Sequence, residues 1–414
     1  MNKKLVITIV SIVAVLALGV GAYAMFGGGK PAKEESVPEV SSEEESSEEE
    51  RSIEESSEES SIEESSSEES SEELSEEESS EEESSEEEEE PALEEGYVYS
   101  QYTGLPIKEE ISLQQPVAIM LNNHIDAYPQ SNISKADIVY EVPVEGRITR
   151  YMAVFQDYTE LEKIGSIRST RRYYLDFALD QSAVLVHFGD DTSIHPVYDA
   201  IGCRHMEGMY GQYNYWRSTD RVAPHNVYTD GQSLVQALDD RGFGSKMEGP
   251  VEDPMFVFFK TEKQKTEGLE AYKAQEGAFA CTHIQIPYMP SSGRFSIVPE
   301  YNYNAETGLY ERWIYGGDQY DKEYEDEKVT CKNVFIMLTD LHARGDSSGH
   351  MDITTIGEGD GYYVCEGTAI PVKWKKESQE DTTKWYTLDG ERLVTAPGNT
   401  WISIMNYNQE YTME

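Results

Sequence analysis

From Lys33 to Glu90 the chain is almost entirely Ser and Glu, broken only by isolated Val, Ile and Leu. A stretch of that composition has too little apolar surface to offset the entropy of ordering, and its like charges repel one another. It reads as a disordered stalk, so any folded core has to be built from the residues beyond Glu90. Ahead of it, residues 5–26 carry no charge and are mostly apolar, which is long enough to cross a bilayer as one helix. Lys3 and Lys4 would then stay in the cytoplasm and leave the bulk of the chain outside, as a single-pass protein of the cell membrane. The alternative is a secreted protein cleaved near Ala24, because Ala22-Tyr23-Ala24 has the small-x-small form of a cleavage site.

The reading divides the chain into a signal anchor at 1–32, a stalk at 33–90, an α/β domain at 91–250 and a β-rich domain at 251–414. The whole chain has 80 acidic and 33 basic side chains, and 30 of the acidic ones lie in residues 1–90. What remains is still strongly acidic, which argues against a nucleic-acid partner. Cys203, Cys281, Cys331 and Cys365 are too widely spaced for a metal-ligand set. An exported location permits a disulfide among Cys281, Cys331 and Cys365; free buried thiols are the alternative.

In the first half, short apolar runs at 117–121, 138–142, 151–156 and 182–188 read as strands. Ser169 or Thr170 is a suitable cap for a helix reaching Asp180, and Thr229 or Asp230 opens another that Gly242 closes. Strands alternating with helices predict a layered α/β domain. The second half changes rhythm. Aromatic and β-branched runs at 255–259, 281–286, 295–298, 310–315, 333–338, 362–365, 372–375 and 400–404, with one helix at 260–275, predict a mostly β domain and an α+β chain overall.

Against this acidic background, Arg147, Arg150, Arg168, Arg171 and Arg172 fall within 26 residues, and Arg217 and Arg221 follow. Arginine outnumbers lysine eight to one between 147 and 221, so the region selects planar forks suited to carboxylate or phosphate and not merely positive charge. With Ser169 at a predicted helix start, these side chains form a candidate anion site. The competing reading pairs them internally with Glu141, Glu145 or Asp137. His187 and Asp190 follow a buried strand, in the position where α/β domains build sites, and His225 and Asn226 add polar groups. Tyr210 to Trp216 reads as an aromatic loop suited to stacking on a sugar or contacting a protein. No metal set, cofactor motif, nucleophile elbow or phosphate loop is present.

The blocks Pro116 to His124, Ala136 to Glu141, Val144 to Arg150, Ile164 to Arg171, Pro224 to Thr229 and Gly398 to Ile402 resemble the YerB-like family of exported bacterial proteins, a domain of unknown function (number 3048) with a C-terminal companion domain. Arg147 stands where the family form has a second Gly. The resemblance implies an envelope location and domain boundaries, but no reaction. The expectation is a binding or regulatory module holding an anionic cell-wall glycan, a phosphate-bearing ligand or an envelope protein partner. The alternative is an enzyme acting on a polyprenyl-phosphate-linked or other wall substrate.

Overall fold

The computed structural model describes residues 91–414 apart from 212–214, 291–294 and 325, with Arg147 described by its backbone alone. The expected membrane span and the stalk lie outside these residues. Among the described residues no helix is long and apolar enough to cross a membrane.

Eleven strands form the main sheet: β1 (Val117–Asn122), β2 (Ile138–Pro143), β3 (Thr149–Phe155), β4 (Val184–His187), β5 (His205–Glu207), β6 (Phe279–Ala280), β7 (Asn333–Thr339), β8 (Gly357–Cys365), β9 (Thr368–Lys376), β10 (Lys384–Tyr386) and β11 (Thr400–Asn406). Their order is β6-β9-β8-β7-β11-β2-β3-β1-β4-β5, with β10 on β9. Strands β7, β11 and β2 run parallel, as do β1, β4 and β5, while β3 runs against both β1 and β2. All six parallel members therefore point the same way, and their carboxyl ends share one edge.

The continuous apolar runs that marked β1, β2, β7 and β11 arise because this sheet is covered on both faces. Ala118 and Met120 face one core layer, with Tyr140, Phe335 and Ile402; Val117, Ile119 and Leu121 face the other, with Tyr151, Ile336 and Trp401. Helix α1 (Arg172–Asp180) packs Tyr173, Tyr174 and Phe177 into the first layer. Between β4 and β5 lies the short helix α2 (His195–Ala200). Helix α3 (Gly231–Asp240), capped by Asp230, gives Leu234, Ala237 and Leu238 to the second layer. Helix α4 (Glu262–Lys273), capped by Thr261, returns to the first with Leu269 and Tyr272. A six-stranded sheet, including His283–Gln285, Glu300–Asn304 and Leu309–Ile314, covers the second layer through Ile284, Tyr301 and Tyr310.

The fold is thus mostly β with few helices, which corrects the α/β reading of the first half. The alternation that suggested α/β exists around β3, α1 and β4, but β2 and β3 form an antiparallel pair and β2 takes its parallel neighbour, β11, from the other end of the chain. Two local expectations also change. Phe295 to Val298 forms no strand, only an isolated bridge at Ile297, while Glu300–Asn304 does, although its Glu and Asn content hid it. No disulfide forms among the described residues, and all four cysteines are free and buried. Burial pushes the Cys281 thiol up to about 12 and that of Cys365 to about 11, which keeps both protonated and inert.

Candidate functional site at the carboxyl edge of the sheet

Parallel strands β1 and β4 pair over Val117–Ile119 and Val184–Val186, then diverge. The segment from Ile164 to Thr170 fills the gap between their carboxyl ends. Asn122 N donates to Ser166 O, Arg168 N to Met120 O, and Phe188 N to Arg168 O. This bridge consumes the residues expected to cap α1: Ser169 Oγ donates to Phe188 O, and Thr170 N donates to Gly189 O. The helix accordingly begins two residues later, with Arg171 at the cap position and no side-chain cap.

Gly165 makes the crossing possible. Its φ of +151° suits glycine, and a Cβ there would lie 2.7 Å from the Tyr228 ring and 2.8 Å from Val227 O. Gly165→Ala is expected to lower stability by about 3 kcal/mol through strain and overpacking, read as a fall in the urea midpoint at unchanged slope.

Glu145, just beyond β2, organises the arginines. Arg150 donates to its Oε1 at 2.8 Å and to Ser169 O. Arg171 donates Nε to Oε2 at 3.0 Å and Nη2 to Oε1. Burial works against the Glu145 carboxylate, but Arg150 and Arg171 outweigh it and hold its pKa near 2. Arg172 is occupied by Asp176, one turn along α1, and by Gln379. Arg217 donates to Asn226 and lies over the Phe188 ring; Arg221 holds Ala127 O, Pro129 O and Tyr228. Arg168 differs from all of these. Its guanidinium has no hydrogen-bond or ion-pair partner among the described residues, and burial together with Arg150 and Arg171 pushes its pKa down to about 10. One carboxylate, Glu145, faces Arg150, Arg168 and Arg171, so the cluster is net positive.

Asn122 Nδ2 donates to His225 Nδ1, 2.9 Å away, and the His225 ring stacks on His124 at 4.6 Å between ring centroids. His124, Asp126 and His225 bring ligand-type atoms within 4.8 Å of one another. They do not fit a cation. Imidazole lone pairs lie in the ring plane, and two rings only 17° from parallel cannot both aim at one ion; burial, His124 and Arg168 already lower the His225 pKa. His187 and Asp190 lie further along the same edge, in a separate histidine cluster. Sequence reading missed His124, Tyr198 and His205. The polar run Asn122-Asn123-His124 directly after an apolar strand was the available signal for the first; His205 had none, because its partner lies on another strand.

The arginine cluster thus lies at the carboxyl ends of parallel strands in a mixed sheet, the place where open sheets of this kind build ligand sites. Two family models match in turn: the protein of unknown function (DUF3048) N-terminal domain over residues 102–244, and its C-terminal domain over 285–402. The chain belongs to this family. It is 30% identical over 304 residues to the protein of Bacillus subtilis (strain 168) named "Putative lipoprotein YerB", a match spanning 73% of this chain and 85% of that one. The crystal structure of the YerB protein from Bacillus subtilis superposes with a TM-score of 0.65 at 27% identity, covering 77% of this chain and 99% of that chain.

Proposed function

We propose that the protein is an extracytoplasmic cell-envelope protein, anchored through residues 5–26, whose sheet edge binds the anionic group of an envelope component or partner. The lipoprotein name of the Bacillus subtilis relative supports the envelope location. The observation that carries the binding reading is Arg168, a partly buried and unpaired guanidinium beside Arg150 and Arg171. A cation held there against repulsion gains most from an incoming anion, and phosphate, pyrophosphate or a sugar carboxylate meets its geometry. Arg150 and Arg171, fixed by Glu145, set the field. Arg217, held by Asn226, adds to this field.

A second reading, an enzyme acting on a polyprenyl-phosphate-linked substrate, is favoured by one feature of the same edge. A groove of about 630 Å³, lined by Pro143, Val144, Tyr288, Leu341 and Met351, includes Gly146, the neighbour of Glu145. An amphiphile could lay its chain there with its charged head towards the arginines. Turnover of a polyprenyl pyrophosphate, lost in Arg168→Ala, would select this reading over simple binding.

The deciding experiment is thermal melting of the purified chain with inorganic phosphate, pyrophosphate or muropeptides, beside Arg168→Ala. An anion at about 100 times its Kd adds about 2.7 kcal/mol to the wild type. The variant is expected to melt no lower than the wild type without ligand, because no internal bridge is broken, and to lose the added stability. If it melts well below the wild type and no anion stabilises either, Arg168 is a structural residue.

A further inference from the structure

Along the same edge, beyond β4 and β5, lies a cleft of about 340 Å³ lined by Asp190, His195, Tyr198, His205, Tyr210 and Arg241, among others. Its inner wall is a closed hydrogen-bond network. Tyr198 donates to Asp190 Oδ2 at 3.1 Å, and His195 Nε2 meets Asp190 Oδ1 at 3.0 Å, so that carboxylate is fully engaged. Glu207 is engaged as well: Oε1 accepts from Gly189 N and Met209 N, and Oε2 from Tyr210 N. The first of these bonds ties β5 to the loop after β4, and the other two close the turn after β5. They leave the Tyr210 side chain outside, 77% exposed on a backbone that is fixed.

The histidines set the one open valence. His187 Nδ1 lies 3.0 Å from Gly189 O, and a carbonyl only accepts, so Nδ1 carries the proton. His187 is buried and neutral, its pKa lowered by burial to about 3, so its Nε2 is an acceptor. That nitrogen lies 3.0 Å from His205 Nδ1, which must then donate. His205 is neutral too, with a pKa lowered by burial and by Arg241 to about 4, and its Nε2 therefore holds a lone pair with no partner among the described residues. Tyr198 clamps this orientation, its ring stacked on His205 at 3.6 Å and 6° from parallel.

A fixed acceptor beside a projecting aromatic ring does not suit an anion, because Asp190, Asp199 and Glu207 line the same cleft. Nor does it suit a metal ion: Asp190 and Glu207 already accept hydrogen bonds, and the carboxylates and imidazoles of this cleft do not converge as a ligand group among the described residues. It suits a neutral ring that offers hydroxyl or amide donors at its rim and an apolar C–H face to a tyrosine. We propose that this cleft is a carbohydrate subsite, in which a neutral sugar ring stacks on Tyr210 and donates a hydrogen bond to His205 Nε2. The proposal goes beyond the anion site and does not depend on it.

The test is calorimetric titration of the whole chain with two probes, a tetramer of N-acetylglucosamine and a tetramer of glucose, against wild type, Tyr210→Ala, His205→Phe and Arg168→Ala. At least one probe is expected to saturate the wild type, with about tenfold weaker binding in Tyr210→Ala and in His205→Phe. Tyr210 is exposed, so its variant folds whatever happens at His205. Arg168→Ala is expected to bind the sugar as the wild type does. Equal affinity in Tyr210→Ala, or no saturation of the wild type by either probe, overturns the proposal. Loss of sugar binding in Arg168→Ala overturns its independence from the anion site.

Discussion

Arg312→Met is expected to destabilise the protein by about 3–5 kcal/mol, although Arg312 touches no candidate ligand residue. The side chain is fully buried between the two sheets, on the Leu309–Ile314 strand, with its guanidinium 3.9 Å from the centre of the Trp401 ring and 4.5 Å from that of Tyr301. It donates to Glu141 Oε2 at 2.9 Å, to Tyr151 and to Gln319. Burial pushes the Glu141 carboxyl up, and Arg312 is the principal group opposing that shift. Removing the cation leaves a carboxylate between the sheets, held among the described residues by Thr149 and Asn123 alone. The cost is therefore that of the abandoned partner. The double variant Glu141→Leu/Arg312→Met is expected to recover most of the loss, since it removes both charges from the interior. Urea denaturation of the wild type, both single variants and the double variant checks this, and additive losses would show that the pair is not coupled.

The second large effect is a pH dependence at Asp137. This carboxyl sits partly buried where the chain enters β2, accepting from Gln156 N at 2.7 Å. Burial raises its pKa from 3.8 to about 7, with Asp157 adding to the rise and the backbone bond opposing it. Between pH 4 and 7 the folded protein keeps this proton while the unfolded chain loses it. The folded state binds more protons, so the contribution of Asp137 to stability falls as pH rises through that window. A shift of about 3 units corresponds to about 4 kcal/mol. His187, buried, and His205, partly buried, have lowered pKa values and oppose this slope, because below pH 6.5 they charge more readily in the unfolded chain. The difference between Asp137→Asn and wild type isolates the carboxyl. It is expected to favour the variant by about 4 kcal/mol more at pH 8 than at pH 4, measured by urea midpoints across that range. A flat difference would mean that Asp137 ionises normally.

Much of the fold could be read locally. The apolar runs that became β1, β2, β7 and β11, and the starts of α3 and α4, lie within a residue or two of where their composition placed them. Pairing could not be read, because nothing in Ile138–Pro143 states that its parallel neighbour comes from Thr400–Asn406. The start of α1 was misplaced for a related reason: the Ser169 hydroxyl has a tertiary partner, Phe188 O, and is unavailable as a cap. The excess of arginine over lysine marked the stretch in which Glu145 gathers Arg150 and Arg171. Which arginine stays unpaired depends on where Glu145 lands, and that is set by the turn after β2 and not by spacing. His205 was invisible because its role comes from a tautomer fixed by His187 across the sheet.

The register of β2 against β11 also bears on how the protein is made. A ribosome delivers Ile138 long before Thr400, yet these residues sit opposite each other in the middle of the sheet. Until the last strands emerge, β2 presents an unfilled edge to anything that can add a strand, whether a chaperone or another nascent chain. A chain truncated before Thr400 would lack the strand that lies beside Ile138–Glu141 and would leave this seam open.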